Sequence, residues 1–293
     1  MDERGATNLI KKMVKAVQTA HIITLDFSGL KFIEPVGMAS LASISKYISI
    51  HRPLTFIGLE RDAPALRYLD YAGLNLQLRG KRIWPSSPNN GISDSTIPLN
   101  FFYDGNYHSH LYQDLIPWLQ RLLNLPPHVA SNIRSILEEL YLNIRHHSGV
   151  RSGCAIAQYF SKTNKIKFAI SDWGRGIPDR VRSFTQRNYD DKTCITKACE
   201  NGFSTKSDTG NRGYGLHHLI NYCVKNNGGR VMIRSEMGQV VVTQGTIDPP
   251  NPRYESKQLA SDFRYPGTLI HVELCTDTLP RYGNQDSEDL EWD

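Results

Sequence analysis

Residues 131–147 carry the pattern that most constrains this chain. On a wheel of about 100° per residue, Ile133, Ile136, Leu137, Leu140 and Ile144 fall within one arc of about 100°. A stripe that narrow belongs to a helix lying with one face on another layer. Glu139, Asn143 and His147 are spaced i, i+4, i+8 and form a ladder along one edge of the stripe. Glu138 points almost directly away and is expected in solvent. The helix offers a selected polar edge beside an apolar floor, the arrangement of a ligand site.

The surrounding chain reads as alternating helices and strands. Before this helix, 111–125 is helical with a kink near Pro117, and His108 and His110 fall in loop. Strands follow at 153–160 and 165–171, a helix at 214–226, the turn "NNGGR" (226–230) before "VMIRS", and a last strand at 268–274. Nearer the start, an amphipathic helix at 6–19 carries Leu9, Ile10, Met13 and Val17 on one side. A strand (22–27), a helix (36–49), a strand (54–59) and a helix closed by Gly73 (63–73) come next. This alternation implies an α/β fold with a small parallel or mixed sheet. "WPSSPNNGISDSTIP" (84–98) is rich in Pro, Ser, Asn and Gly, as linkers are. The expected division is a domain at 1–83, a linker at 84–105, a domain at 106–276 and an acidic tail at 277–293 ending "DSEDLEWD".

Charge and cysteine usage exclude several function classes. The formal net charge is +5 with no Lys/Arg-rich run, which argues against nucleic-acid binding. No apolar run approaches the roughly 18–20 residues that span a bilayer, and the charged start lacks a signal-peptide core, so no membrane partner is expected. The five cysteines are scattered without a CxxC pair, as reduced thiols of a cytoplasmic protein would be. For the polar helix edge, metal binding, nucleotide binding and simple solvation are the open readings. His146 and His147 diverge by about 100° on the helix and are poorly placed to share one ion.

Two glycine clusters narrow the choice. "DWGRGIPD" (172–179) places Asp172, Gly174 and Gly176 directly after a strand. "TGNRGYGLHHL" (209–219) places Gly210, Gly213 and Gly215 at the opening of a helix. Glycines there let backbone N–H groups approach an anion beside a helix N-terminus. With these residues in view, 110–275 resembles the GHKL ATPases, a family of α/β sandwiches with a mixed sheet, a helical layer and an ATP lid. "EELYLNIRHHSG" matches its N box, "DWGRGIP" and "GNRGYGL" its glycine boxes, and "GTLIHVEL" (267–274) its closing strand. The anti-sigma serine kinase-like branch is the most similar. The resemblance implies ATP and Mg²⁺ as cofactors. Asn143 would coordinate the metal, Glu139 would orient or deprotonate the nucleophile, and Asp172 would accept from the adenine amino group with Thr268 nearby. Gly174 and Gly176 would shape the floor, and Gly210, Gly213 and Gly215 the lid. Lys206 and Arg212 in that lid would meet phosphate or solvent. His147 is open to two readings, a nucleotide contact and a packed neutral histidine.

Residues 5–80 resemble a STAS domain, the anti-sigma-factor-antagonist fold, through "ITLDFSGLKFIEPVGMASL" (23–41). The family carries a hydroxyl residue just before the loop glycine, whereas this chain has Glu34-Pro35-Val36-Gly37. The expected function is an ATP-binding regulator, acting as a protein serine/threonine kinase or slow ATPase. The alternative is a nucleotide-switched binding module without turnover. The chain lacks the phosphoacceptor hairpin of a sensor histidine kinase and the transducer of a gyrase-like clamp. Protein partners are expected, with the STAS-like part docking in cis, or in trans within a homodimer, its loop 34–37 against the lid at 201–213.

Overall fold

The computed structural model describes residues 1–84, 92–104, 106–203, 215–246 and 251–281. The chain begins with α1 (Glu3–Thr19), β1 (Ile23–Asp26), α2 (Pro35–His51), β2 (Leu54–Ile57), α3 (Pro64–Tyr71) and α4 (Leu74–Arg79). A short α5 (Ile92–Ser95) runs into β3 (Thr96–Tyr103). A π-helical segment, Ser109–Leu115, continues into α6 (Ile116–Leu123), then α7 (Pro127–His147), β4 (Ser152–Phe160) and β5 (Lys165–Asp172). There follow α8 (Gly176–Thr185), α9 (Asp191–Ala198), α10 (Gly215–Ile220) and a π-helical turn, Asn221–Asn226. The strands β6 (Arg230–Glu236), β7 (Gly238–Gln244), β8 (Pro252–Gln258) and β9 (Tyr265–Cys275) complete the fold.

Two sheets result, in a mixed α/β architecture. β1 and β2 pair in parallel, and the other seven strands lie in the order β3-β4-β5-β9-β6-β7-β8. The larger sheet is antiparallel at every junction, which corrects the expectation of a mixed sheet. β5 and β6 run the same way, but the last strand, β9, returns between them and is antiparallel to both.

Each face of this sheet carries its own core, because side chains alternate along a strand. On β5, Ile166, Phe168 and Ile170 point into a cluster with α6, α7 and α10, through residues such as Leu119, Leu137, Leu140 and Leu219. Ala169 of β5, with Phe101, Cys154, Ile156, Met232, Tyr265 and Leu269, points to the opposite face. There it joins Ile23, Leu25, Val36, Ala39, Ile44 and Leu66 of the first 84 residues. The molecule is therefore three layers: helices, sheet, and an N-terminal unit. The core of that unit is completed by side chains of the sheet, across the boundary expected at 83.

α2 is the centre of the N-terminal unit. Residues 35–45 are all buried, between the large sheet and the surrounding α1, β1 and β2. Its Ser40 is fully buried and donates to the Val36 carbonyl at 2.7 Å. In the loop before α2, Glu34 forms a largely shielded ion pair with Lys167 of β5 at 2.8 Å; the lid residues 204–213 expected opposite that loop lie outside the described residues. α1 packs Met13 into the apolar cluster and faces the sheet with polar groups. Glu3 binds the Arg230 guanidinium and His271 Nδ1, and Arg234 Nη1 donates to Thr7 Oγ1 at 2.9 Å. Burial alone would raise the Glu3 carboxyl, but those two partners outweigh it and hold it at about 2.

Other differences have local causes. The last third of the expected linker is strand: β3 is an edge strand, and Pro98, which lacks an N–H, sits at its register break between Ile97 and Asn100. Leu99 N–H donates to the Ala72 carbonyl, tying β3 to the N-terminal unit. The helix expected at 63–73 is α3, closed at Gly73 with φ +93, and a further helix, α4, starts directly after that glycine. The kink near Pro117 is taken up by the π-helical segment, which places His110 in the core rather than in loop; its Nδ1 lies 2.7 Å from the Tyr141 hydroxyl. The expected tail begins later than 277, because Leu279 is buried in the helix-side core. Residues 282–293 lie outside the described residues. Among the described residues no helix is long and apolar enough to cross a membrane, and the five cysteines are free thiols.

Candidate functional site

α7 lies on the sheet with Ile133, Leu137, Leu140 and Ile144 buried, as its stripe requires. The edge ladder then falls where α7, β5, α8, α10 and β9 converge. A cavity of about 120 Å³ opens there, and Glu139, Asn143 and His147 line it in succession. Its walls are apolar, from Ile144, Ile170, Ile177, Val181, Leu216 and Ile270. Glu138 is outside the cavity, as the wheel requires. It is half-buried rather than solvated, because it accepts a hydrogen bond from the Tyr112 hydroxyl at 2.8 Å.

The closed end of the cavity is built from backbone. Asp172, at the end of β5, is 3% exposed. Its Oδ1 accepts from Gly174 N–H at 2.8 Å, and the Thr268 backbone also donates to the carboxyl. Burial raises this carboxyl and the two backbone donors pull it back, leaving it at about 7. It has no cationic partner among these causes, so it is a buried acceptor held only by neutral donors. Thr268 and Ile270 of β9 complete that end.

Glycine permits the close approaches. A Cβ at Gly174 would lie 2.0 Å from the Ser148 carbonyl oxygen, at the C-terminal end of α7. The same carbonyl accepts from Arg175 N–H at 2.7 Å, so the loop after Asp172 is pinned to α7. Gly176 has φ +75, and Gly267, at φ +83, lets β9 pass within reach of the Asp172 main chain. At the other end of the cavity, a Cβ on Gly215 would lie 2.4 Å from Glu139 Cγ and 3.1 Å from Asn143 Nδ2. Only a glycine brings the start of α10 onto the polar edge of α7.

The structure thus brings Glu139, Asn143, His147, Asp172, Gly176, Gly215 and Thr268 to one cavity. Gly174 supports it from behind. Gly210, Arg212 and Gly213, with Lys206, lie outside the described residues. Sequence reasoning missed Arg180, Phe203 and Ser235. Arg180 lines the cavity and its Nη2 donates to His147 Nδ1 at 2.9 Å. A guanidinium only donates, so Nδ1 holds the lone pair and His147 is neutral with its proton on Nε2. The signal was Ile177, Arg180 and Val181 at i, i+3, i+4, one face of the helix after the first glycine cluster. Phe203 meets Phe184 edge-on at 5.9 Å beside the cavity. The Ser235 hydroxyl donates to the Gly267 carbonyl at 2.6 Å and accepts from Ile177 N–H at 2.9 Å, stapling α8 to β9.

The cavity combines an apolar slot, a buried carboxyl and, in line along α7, an amide and a carboxylate. Among the described residues the one cluster with metal-ligand spacing is Glu3, His271 and Glu273, on the other face of the sheet, where Arg230 already meets the charge. No protein-family model matches the chain, and no curated protein matches it either.

Proposed function

We propose that the cavity binds the adenine ring of ATP against Asp172, with the phosphates running along the α7 edge and Mg²⁺ held between them and the Asn143 amide oxygen. The observation that carries this reading is the buried Asp172 carboxyl, held by two backbone donors at the end of an apolar slot. A purine amino group would supply it with a further donor, and Ile144, Ile170 and Ile177 would flank the ring. A hard divalent cation wants oxygen ligands and keeps much of its water, so one amide oxygen plus phosphates suffices. The cation would supply charge neutralisation at the phosphates. Glu139, one turn before Asn143 on the same edge, would take the proton from an attacking water or hydroxyl.

On this reading the chain is a cytoplasmic regulator with a GHKL-like ATP site and a STAS-like N-terminal unit, acting as a serine/threonine kinase or slow ATPase. The order of the N box, the two glycine boxes and the closing strand supports the family, and Glu139 supports turnover. A second reading, a nucleotide-switched binding module, draws on the N-terminal unit. Its loop 34–37 has no hydroxyl, and Ser40 and Ser43 of α2 are fully buried, so α2 presents no accessible acceptor there. Isothermal titration with ATP and Mg²⁺ tests the site: Asp172→Asn turns part of the acceptor into a donor and abolishes measurable binding. Unchanged affinity in that variant would rule out the adenine assignment. Incubation with radiolabelled ATP, with and without partner proteins, separates turnover from binding alone.

A further inference from the structure

The two residues at the closed end of the cavity are gripped from the opposite face of the sheet. Asp172 and Thr268 present side chains to the cavity, while their main-chain carbonyls accept from buried hydroxyls. Ser43 of α2, 129 positions earlier in the chain and fully buried, donates its hydroxyl to the Asp172 carbonyl at 2.9 Å. Ser171 Oγ lies 3.0 Å from the Thr268 carbonyl and 2.6 Å from the Tyr265 hydroxyl. A carbonyl only accepts, so Ser171 donates to the carbonyls, the nearer being that of Thr268, and accepts from the Tyr265 hydroxyl. The result is one hydroxyl network: Ser171 also lies 3.3 Å from the Asp172 carbonyl that Ser43 holds, and Tyr265 meets both Ser171 and Ser43.

We infer that Ser43 and Tyr265 are positioning residues, through which the N-terminal unit sets how tightly the cavity recognises the nucleotide base; this rests on the nucleotide reading above. The Asp172 carbonyl belongs to the peptide plane leading into Trp173. Two residues on, the Gly174 N–H holds the Asp172 carboxyl at 2.8 Å. Fixing that plane fixes the loop that aims the carboxyl. Trp173 is held as well, edge-on to Phe101 with ring centroids 5.9 Å apart, within the core shared with the N-terminal unit. α2 reaches the strand because it presents small residues: Ala39 packs over Cys154, and Ser43 follows one turn later. The unit grips the base end of the cavity and not its phosphate end, since Glu139, Asn143 and Gly215 lie beyond the other side of the sheet. Any partner that shifts α2 would act on base recognition first.

The test compares ATP with inorganic tripolyphosphate, which has the phosphates and no base, on the full chain with Mg²⁺. Removing one hydroxyl donor weakens ATP binding by about tenfold in Ser43→Ala and by roughly threefold in Tyr265→Phe, with tripolyphosphate affinity unchanged. Loss of both affinities in parallel, or of neither, would reduce the two hydroxyls to structural roles and overturn the inference. Should Ser43→Ala not fold, Tyr265→Phe, which keeps the ring, carries the test alone. A wild-type chain that binds ATP no better than tripolyphosphate overturns the base-site reading itself, a result distinct from an unaltered preference in the variants.

Discussion

Asp172 shows how much one carboxyl can report. Its ordinary value of 3.8 is raised to about 7 by burial, so the folded state binds this proton more tightly than the unfolded chain does. Folding stability therefore falls as pH rises from about 4 to 7 and levels off above, by the share that Asp172 contributes. A ring amino group donates best to the ionised carboxyl, so ATP affinity climbs through pH 7, reaches a plateau above it, and binding below pH 7 releases a proton. Across the sheet, Cys154 and Tyr265 face this carboxyl, both pushed up by burial, while His147 and Arg180 line the same cavity and pair with each other. Titrations at several pH values in two buffers of different ionisation enthalpy would show the proton. Asp172→Asn, which no longer binds, should instead lose this share of the pH dependence of folding stability. Along α7, Asn143→Ala should lower Mg²⁺-dependent nucleotide affinity, whereas Glu139→Ala should keep binding and lower any turnover by roughly 10²–10⁴-fold. Glu138→Ala should alter neither, costing only the Tyr112 bond; equal effects at 138 and 139 would undo the helix-edge argument. The ladder was legible because a helix phase fixes which residues share an edge. For Arg180 the i, i+3, i+4 spacing gave its helix face, but not where that face points, because the helix starts from a glycine at positive φ.

Elements were readable where one face is apolar and obscure where it is not. α7, β4, β5 and β9 each carry the period of their structure into a core, and their positions follow from it. β8, "PRYESKQ", is exposed along nearly all its length and has no apolar alternation to betray it. β3 hides behind Pro98 and a polar preamble, although Leu99 and Phe101 face one core and Ile97 and Phe102 the other. The connection from β5 to α8 is the junction most sensitive to a single atom. In Gly174→Ala the new Cβ meets the Ser148 carbonyl, which is backbone and cannot swing aside. That variant should lose about 1–3 kcal/mol of stability in urea unfolding, with weakened ATP binding. Gly29→Ala, where nothing lies within 4 Å, serves as the control and should stay within about 0.5 kcal/mol.

At the scale of the molecule, the sequence suggested two bodies and a tether, whereas the N-terminal cluster is completed by side chains from β3, β4, β5, β6 and β9. Composition could not reveal this, because the face of a strand that meets a second layer looks the same whichever segment supplies that layer. A fragment of residues 1–84 should accordingly lack a cooperative unfolding transition, bind a hydrophobic dye and show no near-ultraviolet circular dichroism signal. A sharp native-like transition in that fragment would contradict the shared core. The place of β9 has a consequence for biosynthesis. The strand is synthesised after the other described strands yet lies between β5 and β6, and it supplies Tyr265 and Leu269 to one core and Ile270 and Val272 to the other. As the chain leaves the ribosome, everything before residue 265 emerges with facing strand edges unfilled and both interiors incomplete. Until β9 has been made, neither interior can close, so folding is gated by the synthesis of that one strand.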